Sequence, residues 1–381
     1  MGEKLVGFLI GAFTSPFFKL LRLLLSGDEP DPKPDEAKPQ LVEGAAAVAV
    51  AGTATFPISS HLSNTNGFPY LDWNAVQQWI DMIDPEVQAR AWASCERAWL
   101  EHLAVALGPT YRLMEERDAV LLSTLEPNIA RATLGFMSET LQQIILILDG
   151  VAQKPEWGKD ILVVFDDEDG YYRYVAHYYH EDGEFAGSGG MFINAGCGHF
   201  VTVKNDLHII EPVIAHELTH SCVSHLPLPA WLNEGLAVNT EHRLSPPSRP
   251  MFTPRQMHEK HLMFWKDAEI QEFWSGKSFL RNDDGNMLSY DLARIMVSQL
   301  SKDWERFRDF VLAADLVDAG AAAAAEHLGI ELGAFACTLL ERDSSSACEP
   351  NPSVWQEAPE SGAFYGYTSQ NAYIPANSTY T

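Results

Sequence analysis

Apolar positions recur at three- and four-residue intervals in some stretches of the chain and run without interruption in others. From Asp72 to Leu107, DWNAVQQWIDMI and PEVQARAWASCERAWLEHLAVAL carry them at helical spacing, with Pro85 in a first turn, where its missing N–H costs nothing. After Gly108 the pattern changes. AVLLSTL (119–125) reads as a strand, residues 126–149 as a long amphipathic helix stopped by Gly150, and ILVVFDD (161–167) as a buried strand. The aromatic-rich DGYYRYVAHYY beyond it predicts a helix, and GSGGMFINAGCGHFVTVK two short strands around a glycine-rich turn. A helix containing HELTH follows. Beyond it the pattern is helical at 285–301, 303–318, 320–328 and 331–342, where the alanines of 321–325 add helix propensity.

The ends have a different character. Leu5 to Phe18 is strongly apolar, and Lys19 and Arg22 then stand among leucines. Pro16 interrupts this run, which is shorter than the ~20 residues a spanning helix needs. Gly2 fits a myristoylation start, but Val6 stands where Ser or Thr is wanted. Residues 1–26 therefore read as an interfacial helix with snorkelling basic side chains, a route to a membrane surface, or as a helix docked on the protein's own body. GDEPDPKPDEAKPQ (27–40) has four prolines and alternating charge and reads as a linker. Residues 41–108 make a mostly helical N-terminal region, 109–343 the main body, and 344–381 a tail rich in Ser, Pro, Asn, Gly and Tyr.

Composition narrows the function classes. Of 381 residues, 46% are apolar and 11% aromatic, which is a globular composition rather than a disordered one. A formal charge of −26 with no basic stripe argues against nucleic acid as a partner, because phosphate binding needs concentrated positive charge. Cys95, Cys197, Cys222, Cys337 and Cys348 form no CxxC pair, which excludes both a disulfide scaffold and a thiolate zinc site. Cys222 lies two residues past His220, off the histidine face of a helix, and reads as packing.

The chemistry concentrates in HELTHSCVSHLPLPAWLNEGLA, which starts at His216. Residues four apart share a helix face, so His216 and His220 can aim imidazole nitrogens at one point, with Glu217 beside them as a general base. A catalytic zinc wants a third protein ligand. His225 stands five positions past His220, roughly 140° around the helix. A third histidine six positions on would fall at Leu226. Glu234 is the better candidate, because Pro227 and Pro229 end the first helix and WLNEGLA starts another.

HELTH followed by AWLNEGLA resembles the gluzincin metallopeptidases, the thermolysin-like clan. It looks closest to the peptidase MA-like family, with distant kinship to aminopeptidase N through WLNEG. The likeness extends over roughly residues 110–343, where MLSYDLARIMVSQL, DWERFRDFVLAADL and HLGIELGAFACTLLER resemble that family's helical lower half. It implies an α+β fold of the zincin type, with a mixed-sheet upper lobe and a helical lower lobe. It further implies one catalytic zinc held by His216, His220 and Glu234, Glu217 as general base, and protein or peptide as substrate. Tyr290 occupies a place similar to that of the tyrosine that steadies the oxyanion in aminopeptidase N relatives; a buried core tyrosine is the competing reading. The same likeness makes HFVTVK (His199 to Lys204) the sheet edge that would pair with extended substrate. His199 and His208 are assigned no role.

The sequence departs from the aminopeptidase pattern at GGMFIN. Phe192 stands where the amine-anchoring glutamate of Gly-x-Met-Glu-Asn would be, so endopeptidase activity is the expectation. The carboxylate that orients a zinc-bound histidine has one candidate, Glu241. A catalytically silent binding protein on the same fold, and a zinc hydrolase of a non-peptide amide or ester, are the alternatives.

Overall fold

A computed structural model of the protein describes residues 44–50, 55–178, 190–246, 252–343 and 346–355. The apolar segment 1–26, the linker 27–40 and most of the tail lie outside the described residues, and the expectations for them stay as stated above. No helix among the described residues is long and apolar enough to cross a membrane.

The chain opens with strands β1 (Leu62–Thr65) and β2 (Phe68–Leu71), then helices α1 (Trp73–Ile80) and α2 (Pro85–Leu107). The central elements are β3 (Arg112–Glu116), β4 (Ala119–Ser123), α3 (Pro127–Ile147), β5 (Asp160–Phe165), α4 (Glu168–Val175), β6 (Gly190–Ala195) and β7 (Cys197–Val203). Helices make up the rest: α5 (Leu207–Val223), α6 (Ala230–Leu244), α7 (Pro254–Phe264), α8 (Asp267–Ser275), α9 (Asp284–Leu300), α10 (Trp304–Ala313), α11 (Ala321–Ala323) and α12 (Leu332–Leu339), with a π-turn at Ala324–Leu328. The fold is mixed α and β, as the sequence pattern predicts.

Strands β1, β2 and β3 escape the periodicity, whereas β4 is the strand expected at 119–125. β1 and β2 join through Asn66-Gly67, both with positive φ, the pair that two-residue hairpin turns favour; that local signal is present in the sequence. β3 and β4 join through Arg117-Asp118, with Arg117 at φ 49°; Asp118 is a common turn residue, but Arg117 is an unusual one for that conformation.

The main sheet runs β3-β4-β5-β7-β6, with β4–β5 and β5–β7 parallel and the two outer pairs antiparallel. The expectation that His199–Lys204 forms the edge is therefore corrected: β7 lies inside, and β6 is the edge. The physical reason is burial. β7 is buried along most of its length and needs neighbours on both sides, whereas β6 is buried only at Gly190 and Ile193. Gly196, at φ 76°, folds β6 back to the outside.

Side-chain alternation divides the sheet between two cores. Leu162 and Val164 of β5 face a core with Leu121, Phe200 and the inner faces of α3, α5, α6, α9 and α10. Ile161, Val163 and Phe165 face the other core, covered by Phe68, Trp79, Trp99 and Leu103 of the N-terminal segment and Tyr171 and Tyr174 of α4. Each fully buried Leu, Ile or Val contributes about 1.5–3 kcal/mol relative to exposure, so both layers stabilise the sheet substantially. The N-terminal segment thus closes the face opposite the HELTH helix.

Candidate metal centre

α5 carries HELTH, and its buried residues run from Ile214 almost without interruption to Val223. It is held from several sides, by α3, α6 and β6. The chain turns through Ser224–Pro229, where Leu228 is fully buried, and Pro229 in extended conformation caps α6. Trp231 fastens that helix: it is fully buried, packs on Phe273, Trp274 and Phe310, and donates from Nε1 to Ala319 O at 3.0 Å. Gly235 lets α6 approach α9, since a Cβ there would stand 2.5 Å from Val297 Cγ2 and 2.8 Å from Ala293 O. The glycine of NEG is thus a helix-crossing residue.

This packing brings His216, His220 and Glu234 together, with one ligand atom of each within 4.8 Å of the others; among the described residues no other such group occurs. Glu234 Oε2 is 3.2 Å from His216 Nε2 and 3.5 Å from His220 Nε2. The opposite ring nitrogens are tied as well. His216 Nδ1 donates to Glu241 Oε2 at 3.0 Å and His220 Nδ1 to Asn233 Oδ1 at 3.0 Å. Both imidazoles are thereby oriented with Nε2 toward Glu234, the outer-partner arrangement of metal-binding histidines.

Two of the three edges of the donor set match a tetrahedral ion, and the whole set lies within 4.8 Å. Ligand bonds of about 2.1 Å at tetrahedral angles put neighbouring donors about 3.4 Å apart, and the two nitrogen–oxygen distances of 3.2 and 3.5 Å match that edge. Without an ion, burial disfavours charge on His216, but the hydrogen bonds with Glu234 and Glu241 outweigh it and hold its pKa well above the usual imidazole range. Burial likewise opposes charge on His220, and the Glu234 carboxylate reverses the balance. Glu234 itself is pulled down to about 2, against its burial, by the two histidines. The pocket therefore favours positive charge beside an ionised Glu234.

Glu217 is buried, and burial raises its pKa despite the adjacent imidazoles. The main chain of Phe192, on the edge strand β6, acts weakly in the opposite direction and favours its ionised form. Tyr290, in α9, has its ring 6.4 Å from that of His216 and edge-on to Phe279 at 5.2 Å. It lies beside the group while also packing on the core.

The other histidines stand apart. His225 is exposed and outside the cluster. His208 is exposed at the start of α5. His199 faces the far core, bonded to Tyr174 Oη at 2.8 Å and to Cys197 O at 2.8 Å, and burial lowers its pKa to about 4. Cys222 is fully buried among core residues. The one member of the centre that sequence reasoning passes over is Asn233, and its only local signal is its place directly before Glu234. No protein-family model matches the chain, and no curated protein is detectably similar to it.

Proposed function

We propose that the chain is a zinc-dependent peptidase of the gluzincin type, with His216, His220 and Glu234 holding the ion. The observation that carries this reading is the convergence of these three donors while both outer imidazole nitrogens are tied by Glu241 and Asn233. When bound, zinc supplies Lewis acidity, polarising a carbonyl and bringing the pKa of a water toward neutrality.

The chain's own residues supply the rest. Glu217 takes the proton of the attacking water and passes it to the leaving amine, a role suited to an enclosed carboxylate whose pKa is raised. Tyr290 donates its phenol hydrogen to the developing oxyanion. An extended peptide lies along β6, the edge strand of the sheet among the described residues, as a further strand. Phe192 offers no charge to anchor a free amine, which favours internal bonds as substrate.

The test is cleavage of a diverse quenched-peptide library by zinc-loaded protein, with zinc-loaded Glu217→Gln as control. Cleavage lost in the variant supports the proposal. A zinc-loaded protein that leaves every peptide intact but hydrolyses small esters or amides would replace it with the non-peptide hydrolase.

A further inference from the structure

Tyr290 belongs to a closed ring of contacts that begins and ends at Trp265. The indole Nε1 of Trp265, the residue that follows α7, donates to His261 Nδ1 at 2.8 Å. An indole N–H can only donate, so Nδ1 accepts and the imidazole proton stands on Nε2. From there it is donated to Asp291 Oδ2 at 3.0 Å. The other carboxylate oxygen, Oδ1, accepts from Arg294 Nε at 3.1 Å and from its Nη2 at 2.7 Å. Asp291 is the chain neighbour of Tyr290 in α9. The Tyr290 ring in turn lies edge-on to Phe279 at 5.2 Å, Phe279 stacks on Phe273 at 5.7 Å, and Phe273 stands edge-on to Trp265 at 5.6 Å. A polar arm thus grips the backbone at Tyr290, and an apolar arm grips its ring.

We propose that this ring of contacts is a brace that aims the Tyr290 phenol at the metal centre, with Asp291 and His261 as positioning residues. The inference rests on the reading of His216, His220 and Glu234 as metal ligands and of Tyr290 as oxyanion donor. Successive helix residues stand about 100° apart, so fixing residue 291 fixes the direction in which residue 290 points. Hydrogen bonds are directional, and a carboxylate held on both oxygens admits one rotation of α9. The pair is also shielded: the side chains of His261 and Asp291 are 4% and 15% exposed, which leaves little room for screening.

The same turn is tied to the ligand helix. Asn239 Nδ2, on α6, donates to Arg294 O at 2.9 Å and to Gly235 O at 2.7 Å. Glu234 and Glu241 stand on that helix, so α9 is located against the ligands on one side and against α7 on the other. This fixity matters because a misplacement of ~1 Å at a reacting group costs about 10²-fold in rate.

The test uses the full-length chain loaded with Co2+ in place of zinc, with ring-labelled tyrosine observed by NMR. The paramagnetic ion displaces nearby resonances by an amount that falls steeply with distance, and the resonance lost in Tyr290→Phe belongs to Tyr290. Asp291→Ala and His261→Ala are expected to move that resonance from its wild-type position with cobalt content unchanged. Asp291→Asn, which keeps an acceptor, should move it less. In the zinc-loaded enzyme kcat falls in step, by up to about 10²-fold, with KM little changed. In a Tyr290→Phe background Asp291→Ala adds nothing, since residues that act through one another are not additive. A Tyr290 resonance that stays in place in the folded variants overturns the brace alone; Asp291→Asn keeps the test valid if circular dichroism shows the alanine variants unfolded. A chain that takes up no cobalt fails the metal reading first, and the brace falls with it.

Discussion

Glu241 Oε2 stands 3.0 Å from Nδ1 of His216, on the opposite side of the ring from Glu234. The two carboxylates come from one helix, α6, two turns apart, and hold the imidazole between them. Removing such an outer partner typically lowers metal affinity about 10- to 100-fold. Glu241→Ala is expected to weaken zinc binding by that order, while Glu241→Gln, which keeps an acceptor, does less. Competition with a chromophoric chelator measures both; equal affinity in wild type and Glu241→Ala would show that the contact does no positioning.

Ligand and base separate cleanly in this arrangement. Glu234→Ala and His216→Ala should lose the ion, whereas Glu217→Gln should retain it and lose about 10²- to 10⁴-fold in turnover, the usual contribution of a positioned general base. Metal analysis after dialysis, alongside peptide cleavage, distinguishes the two. Stoichiometric, tightly held zinc in Glu234→Ala would remove Glu234 from the ligand set.

Tyr290→Phe keeps the ring against Phe279 and removes only the phenol oxygen. Turnover is expected to fall by about 10²-fold or more if the hydroxyl is an oxyanion donor, with zinc content unchanged. An unchanged kcat would return Tyr290 to the core alone.

Gly235→Ala tests the helix crossing. Alanine favours a helix interior over glycine by about 1 kcal/mol, but here its Cβ would meet Val297 and Ala293 O. Overpacking of this kind costs about 1–3 kcal/mol, so the variant is expected to be less stable in urea unfolding. A stabilised variant would mean that α6 and α9 yield at no cost.

Two buried carboxyls on β5 and α2 tie stability to pH. Burial pushes Glu96 up to about 7, against the hydrogen bond from Trp92, and pushes Asp160 up to about 6, against the one from Ser221 Oγ at 2.9 Å. Unfolded, both ionise near pH 4. Between about pH 4 and 7 the folded chain therefore binds more protons, so this contribution is complete at the acid end and is lost as pH rises. At about 1.4 kcal/mol per unit, Glu96 alone accounts for roughly 3 kcal/mol. Glu96→Gln should flatten the decline measured by urea unfolding between pH 4.5 and 7.5; parallel curves would show that Glu96 does not bind its proton there.

The sequence by itself determined what is local. Four-residue spacing sets His216 and His220 on one helix face, Glu217 follows as their neighbour, and Pro227 and Pro229 force the break after which Glu234 begins another helix. Much of the order of strands and helices around them is legible too, because helix and strand periods are short; β1, β2, β3 and the helices at Pro254–Phe264 and Asp267–Ser275 are not. Tertiary structure decided what depends on residues meeting across the chain. Burial on both sides placed β7 inside and left β6 as the edge, against the expectation from sequence. The approach of α6 to α5 selected Glu241 for His216 and Asn233 for His220. The packing of α7, α8 and α9 closed Trp265, His261, Asp291, Tyr290, Phe279 and Phe273 into one ring of contacts. None of these relations has a repeat that runs along the sequence; each follows from which surfaces had to be covered and from which side chains then came within hydrogen-bonding or van der Waals reach.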